Sequence, residues 1–264
     1  VDSVLAQTYR PIEIIISDDV SGEETRRVIR EMAQAHPSEI RFVFNKNQGA
    51  GLAREAGRQL ARGEFIQYLD SDDLLRPRKF EIQVEALRRN PVCGIAYGYI
   101  CLHPQDGPPL KEPAKWTGKT FSTLFPALLV DRWWNTDCPL FRRTVCDAVG
   151  PWSNLRWGQD WEYDARIGSL GTRLVHCKEF VCDQRQHGEM RQTSPANQIE
   201  PERLLVEKAL HETLYCCAKK AGVTSESPEM QHFARWVFLT ARWIGSLGMN
   251  REAKQCLQLA MMAA

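Results

Sequence analysis

Residues 63–80 read "GEFIQYLDSDDLLRPRKF", and Asp70, Asp72 and Asp73 crowd the end of its apolar run. Carboxylates this close repel one another, and a bound cation would offset that repulsion. With no thiol or imidazole beside them, they favour a hard cation, Mg²⁺ or Mn²⁺. Magnesium is usually held by one or two carboxylates, with phosphate oxygens and water completing its octahedron. The cluster therefore suits a metal–diphosphate complex better than a bare ion. The residues also allow a plainer reading, an acidic turn whose aspartates cap the next helix. A second acidic pair, Asp18–Asp19, ends another apolar run, "IEIIIS".

The elements that must position these acids alternate. "DSVLAQTY" reads as the last turns of a helix stopped by Pro11. "IEIIIS" predicts a strand buried on both faces, and "EETRRVIREMAQAH" a helix with Val28, Ile29, Met32 and Ala33 on one stripe. A strand "IRFVFN", a helix "GLAREAGRQLAR" closed by Gly63, and a strand "EFIQYL" follow. "PRKFEIQVEALRRN" is a further helix, with Phe80, Val84 and Leu87 aligned. Such alternation predicts an α/β fold with a mostly parallel sheet and helices on both faces. In that architecture ligands bind beyond the carboxyl ends of the strands, where both acidic groups fall, so the two groups are expected to line one crevice.

From about residue 92 the alternation fades. "CGIAYGYICL" predicts a strand, residues 104–118 a loop, and "NTDCPLFRRTVCDAVG" a strand and short helix. "GQDWEYDARIGSL" opens another helix, and "RLVHCKEFVCDQRQH" is a last strand. Helices are expected near 202–220, 229–247 and 251–262. Phe233, Trp236, Val237, Thr240, Trp243, Ile244 and Leu247 stripe the middle one. A stripe this apolar must be covered, by packing within the chain first, otherwise by a second copy or by peripheral contact with a membrane, an option that Arg235 and Arg242 keep open.

Bulk composition excludes some classes. A net charge of +1 over 264 residues gives no field for steering onto nucleic acid. No run of apolar residues is long enough to span a bilayer, and the first residues given do not read as a signal peptide. The nine cysteines are scattered without metal-site or disulfide spacing, which predicts buried reduced thiols. The expected location is the cytoplasm, or the inner face of the inner membrane as a peripheral protein.

Five segments together carry a resemblance: "SVLAQTYRPIEIIISDDVSGEET", "NKNQGAGLAREAG", "GEFIQYLDSDDLLRPRKFE", "LFRRTVCDAVGPW" and "GQDWEYDARI". In order and approximate spacing the chain resembles family 2 glycosyltransferases of the GT-A fold, the group that builds bacterial surface polysaccharides from nucleotide sugars. The resemblance implies a GT-A domain over residues 1–200 and leaves 201–264 as a helical tail. It implies inverting transfer from a nucleotide-sugar donor, UDP-linked first, to a glycan or lipid-linked acceptor. Asp19, with Asp18 beside it, matches the acid that pairs with the nucleotide base, and Arg54 a basic residue near the nucleotide. Asp70, Asp72 and Asp73 match the segment that contacts ribose, metal and diphosphate. Asp160 matches the general base, with Glu162 and Asp164 as nearby competitors and Arg166 as the basic residue that follows. His187, in "RQHGEMRQTS", resembles a histidine that reaches the metal or diphosphate. Taken alone, Asp160 also reads as a helix cap, His187 as a loop histidine, and Trp133–Trp134 as sugar-stacking or core aromatics.

The family pattern places a strand and loop of the form "VSVIIPVYN" ahead of "SVLAQTY", and this sequence contains neither. The expectation is an N-terminally incomplete domain, and the rival function is a catalytically impaired, transferase-like binding protein. Two further rivals are a nucleotidyltransferase, which would need a glycine-rich basic phosphate loop, and a retaining glycosidase, which would need two carboxylates about 5 Å apart and no metal.

Overall fold

A computed structural model of the chain describes residues 1–46, 49–186 and 200–264. These form two compact units. One contains Val1–Ser122, Trp134–Asn154 and the strand that begins at Arg173; the other contains Thr123–Trp133, Leu155–Thr172 and the C-terminal helices.

The first unit opens with helix α1 (Asp2–Leu5) and the expected alternation of β1 (Ile14–Asp18), α2 (Glu23–Ala35), β2 (Ile40–Phe44), α3 (Ala50–Leu60) and β3 (Phe65–Ile66). β1 and β2 pair in parallel, Ile14 opposite Ile40 and Asp18 opposite Phe44. Ile14, Ile15 and Ile16 are half-buried rather than enclosed on both faces, because β2 is the only strand beside β1 among the described residues. On α2 only Ile29 is buried. α3 stops at Leu60, short of Gly63, because Glu13 Oε1 accepts from the backbone of Arg62 (2.5 Å) and Gly63 (2.8 Å) and holds the chain extended.

The rest of the unit adds β4 (Leu74–Leu75), α4 (Lys79–Arg89), β5 (Cys93–His103), β6 (Leu140–Arg142), α5 (Arg143–Val149) and β7 (Arg173–Arg185). Five strands form one sheet in the order β3-β6-β5-β7-β4. The mixed α/β class is the expected one, but among the described residues parallel pairing is confined to β1–β2 and β5–β7. β3–β6, β5–β6 and β4–β7 run antiparallel. α4 covers the sheet with Phe80, Val84 and Leu87, as its period predicts. Ile95, Tyr97 and Ile100 of β5 are fully buried, each stabilising the fold by about 1.5–3 kcal/mol. β5 and β7 approach closely at Gly98, where a Cβ would meet the Glu179 carbonyl oxygen at 2.6 Å.

The second unit contains a 3-10 turn (Ala127–Leu129), α6 (Gln159–Ser169), α7 (Pro201–Lys220), α8 (Pro228–Ser246) and α9 (Asn250–Ala263). α8 starts at a Ser227 cap, whose hydroxyl accepts from the Met230 amide at 3.1 Å. Phe233, Val237, Thr240 and Ile244 are buried within the unit, while Phe238, Leu239, Trp243 and Leu247 are exposed. Packing within the chain thus covers part of the stripe. Among the described residues no helix is long and apolar enough to cross a membrane.

His211 of α7 is fully buried against Trp236 (4.3 Å between ring centroids) and Phe233 (5.5 Å). Burial pulls its imidazole from the ordinary 6.5 down to about 3. Below 6.5 the unfolded chain therefore takes up a proton that the fold refuses, and stability falls as pH falls towards about 3. The expected slope approaches about 1.4 kcal/mol per pH unit. Urea melts at a series of pH values from neutral downwards should show it, and His211→Leu should flatten it. An unchanged slope in the variant would place the acid sensitivity elsewhere.

Candidate active site

In the first unit β1 delivers Asp18 and Asp19. Asp18 is buried, accepts from the Ser21 amide (3.2 Å) and pairs with Arg26 Nε (3.2 Å). Burial pushes its carboxyl up, but the bonds from Ser21 and Arg26 outweigh it and hold Asp18 below the usual carboxylate range. Asp18 is therefore committed to the β1 turn, whereas Asp19 is half-buried and accepts from the Gly49 amide at 2.8 Å.

Gly49 is the N-terminal cap of α3, the helix that carries Arg54. Arg54 Nη2 pairs with Asp70 Oδ1 at 2.6 Å, and its guanidinium lies over Trp152 at 5.1 Å. The Trp152 amide in turn donates to buried Glu55 at 3.2 Å. Five residues of helix rise about 7.5 Å, so α3 links the two acidic strand ends directly, Asp19 at its start and Asp70 a turn and a half along. Arg54 Nη1 is buried and has no hydrogen-bond partner among the described residues. A cationic nitrogen left in that state suits an anionic oxygen that the chain itself does not supply.

The three aspartates after β3 are not equivalent. Asp72 is exposed, and its carbonyl accepts from Arg185 Nε at 2.6 Å. Asp70 is partly exposed, and its amide donates to Asp137 Oδ1 at 2.7 Å. Asp73 is buried, with Oδ1 taking the Arg185 amide at 2.9 Å. Asp137, which sequence reasoning missed, lies fully buried among them. Burial pushes its carboxyl well above the usual range, a hydrogen bond to Asp73 and the charge of Asp70 push it further, and Asn135 donates to Oδ2 at 2.8 Å. Lys79, buried under the sheet, bonds the Cys138 carbonyl at 2.8 Å, and Gln67 bonds the Asp137 carbonyl at 3.0 Å, fixing the segment. The only signal in the sequence was a polar "NTD" ahead of an apolar strand.

A hard cation fits this donor set. All the side-chain donors are carboxylate oxygens, and a nearby positive charge would oppose the burial and the neighbouring acids that push the Asp137 carboxyl up. Of the two neighbouring acids, Asp72 is exposed, whereas Asp73 is buried and oriented by the Arg185 amide and Asp137. His187 lies outside the described residues.

In the second unit α6 carries the other acids. Arg132 Nη1 pairs with Asp160 Oδ2 at 2.9 Å, and its Nε with Asp164 Oδ2 at 2.8 Å. Glu162 receives two bonds from Arg166, at 2.6 and 3.0 Å. Side-chain exposure separates the three: 30% for Asp160, against 9% for Glu162 and 2% for Asp164. Asp160 sits one residue inside the helix rather than at its cap, Gly158, and its Oδ1 accepts from the Trp161 amide at 2.8 Å. Trp133 and Trp134 are buried, which makes them core aromatics.

Comparison with known proteins gives the class to which this fold and these acids belong. The family model for glycosyl transferase family 2 matches residues 1–147, and the chain belongs to that family. It is 32% identical over 194 residues to an uncharacterised glycosyltransferase of Nostoc sp., an alignment covering 69% of this chain and 54% of that protein. It is 39% identical over 90 residues to the chondroitin synthase of Escherichia coli, covering 34% of this chain and 13% of that one. The chain thus spans about half or less of the length of these relatives. Among solved structures, S. aureus TarS 1-349 in complex with UDP-GlcNAc superposes with a TM-score of 0.67 at 14% identity, covering 98% of this chain and 74% of that one. The fold is GT-A.

Proposed function

We propose that the chain transfers a sugar from a nucleotide-diphosphate donor, UDP-linked first, to a glycan or lipid-linked acceptor of a surface polysaccharide, with inversion. The acceptor oxygen attacks the anomeric carbon, its proton passes to Asp160, and the diphosphate leaves with the electron pair of the broken C–O bond. Asp19, with Asp18 behind it, faces the nucleotide base, while Arg54, Asp70 and Asp72 serve the ribose and diphosphate. Asp72 and Asp73, joined by His187, would hold Mg²⁺ or Mn²⁺, which would offset the charge gathering on the leaving diphosphate. The observation that carries this reading is helix α3, which ties Asp19 to Asp70 through a guanidinium with one buried nitrogen unpartnered among the described residues. The UDP-GlcNAc held by TarS supports the donor class, and the E. coli chondroitin synthase supports a polysaccharide product. Exposed Phe238, Leu239 and Trp243, beside Arg235 and Arg242, suit a membrane surface carrying a lipid-linked acceptor, with a homodimer as the competing use.

Calorimetry on the full-length protein tests the reading. UDP is expected to bind at least about tenfold more tightly with Mn²⁺ than with EDTA, the scale of one charge-assisted contact. Asp72→Asn should remove most of that difference, since it deletes charge while nearly keeping shape. Metal-independent binding would remove the cation from the account. UDP binding with no transfer to any glycan acceptor would favour the catalytically impaired binding protein instead.

A further inference from the structure

A second cluster of ligating side chains lies in the first unit, away from the roles above. Cys101 and His103 are two residues apart on β5, so their side chains leave the same face of the sheet. β7 pairs with β5 in parallel and places Asp183 directly opposite Cys101. One sulfur, one imidazole nitrogen and one carboxylate oxygen thereby fall within 4.8 Å of one another. His103 Nε2 and Asp183 Oδ1 are 2.9 Å apart.

We propose that Cys101, His103 and Asp183 form a binding site for one divalent cation of the borderline class, Zn²⁺ above all, distinct from the aspartates after β3. The donor set selects the ion. Mg²⁺ and Ca²⁺ take oxygen ligands, whereas a sulfur–nitrogen–oxygen trio is the chemistry of Zn²⁺ and Co²⁺. The scaffold is firm, because β5 and β7 stay paired through the cluster, from Cys101 opposite Asp183 to His103 opposite Arg185. Cys101 and Asp183 are buried while His103 is partly exposed, which gives the ion a route in and leaves a fourth position for water. Arg76 and His103 both bond Asp183 Oδ1, at 2.5 and 2.9 Å, and Arg76 also hydrogen-bonds Cys101, so the cation would take over from the arginine guanidinium the place between thiol and carboxylate.

Binding is balanced in charge and protons. The Cys101 thiol gives its proton to solvent as the metal–sulfur bond forms, and thiolate and carboxylate together neutralise the cation. His103 exchanges its contact with Asp183 for the metal and carries its proton on Nδ1. The ion would fasten the end of β5 to β7, whose Arg185 orients Asp72 and Asp73.

Co²⁺ titration of the chelator-stripped full-length protein is the test. One equivalent is expected to produce a sulfur-to-cobalt absorption in the near ultraviolet, together with visible bands of a four-coordinate ion. Stoichiometric Zn²⁺ should bleach both, and excess Mg²⁺ should not. Cys101→Ser should abolish the near-ultraviolet band, and His103→Ala should weaken binding by at least about tenfold. Absence of the band in the wild type, its survival in Cys101→Ser, or bleaching by Mg²⁺ would each overturn the site. Should Cys101→Ser fail to fold, the more exposed His103 decides, and unchanged Co²⁺ affinity in His103→Ala refutes the proposal. UDP affinity is read separately, so failure here leaves the donor reading standing.

Discussion

Asp160→Asn is expected to lower transfer by about 10²–10⁴-fold while leaving UDP affinity nearly unchanged. The split follows from what a base does: it touches the acceptor hydroxyl, so its loss appears in kcat and not in donor binding. Three acids on α6 compete for the role, and their partners separate them. Glu162 is neutralised by two bonds from Arg166 along the same helix. Asp164 is buried on Arg132 Nε and offers no surface to a substrate. Asp160 shares that arginine through Oδ2 and has the most exposed side chain of the three. It also lies in the first turn of α6, where the helix dipole favours a negative charge. The isosteric amide keeps the packing but cannot take the proton. A variant that retains more than about a tenth of the wild-type turnover would move the role to Glu162 or Asp164.

Sequence reasoning located what depends on local period. β1, β2 and α4 stand where their apolar patterns put them, and Asp18–Asp19 fall at the end of β1 as expected, whereas Asp70–Asp73 lie in the segment between β3 and β4, beyond the short strand. Pairing was less legible. "EFIQYL" forms a strand only at Phe65–Ile66 and pairs antiparallel with β6, a partner far along the chain. Gly63 reads as a helix cap by residue type, but Glu13 captures its amide and the helix ends earlier. Nothing local marks Asp137 as part of the acidic cluster, since its contacts with Asp70 and Asp73 arise only when the sheet closes. The same holds for Cys101, His103 and Asp183: His103 and Asp183 lie 80 residues apart in sequence and meet only through the register of β5 on β7.

Phe233→Ala is expected to destabilise the second unit by about 3–5 kcal/mol, the cost of truncating a buried aromatic. Phe233 is fully buried and sets its ring edge-on to His211 and to Trp236. Trp236 continues the contact, since its ring lies 5.2 Å from that of Trp161, the residue after Asp160. Leu210 of α7 closes in from another side, reaching within 2.9 Å of where a Cβ on Gly158 would lie. The C-terminal helices therefore brace the first turn of α6, and loosening them should reach the carboxylate proposed as base. Turnover is expected to fall in Phe233→Ala even below its melting temperature, with UDP affinity unchanged. Trp243→Ala is the contrast, because that side chain is partly exposed and its removal should cost far less stability. Deleting residues 202–264 should leave an insoluble or destabilised remainder. A soluble, monomeric remainder with an unchanged melting temperature and unchanged turnover would show that α6 holds its shape alone, and would leave the three helices as a docking element.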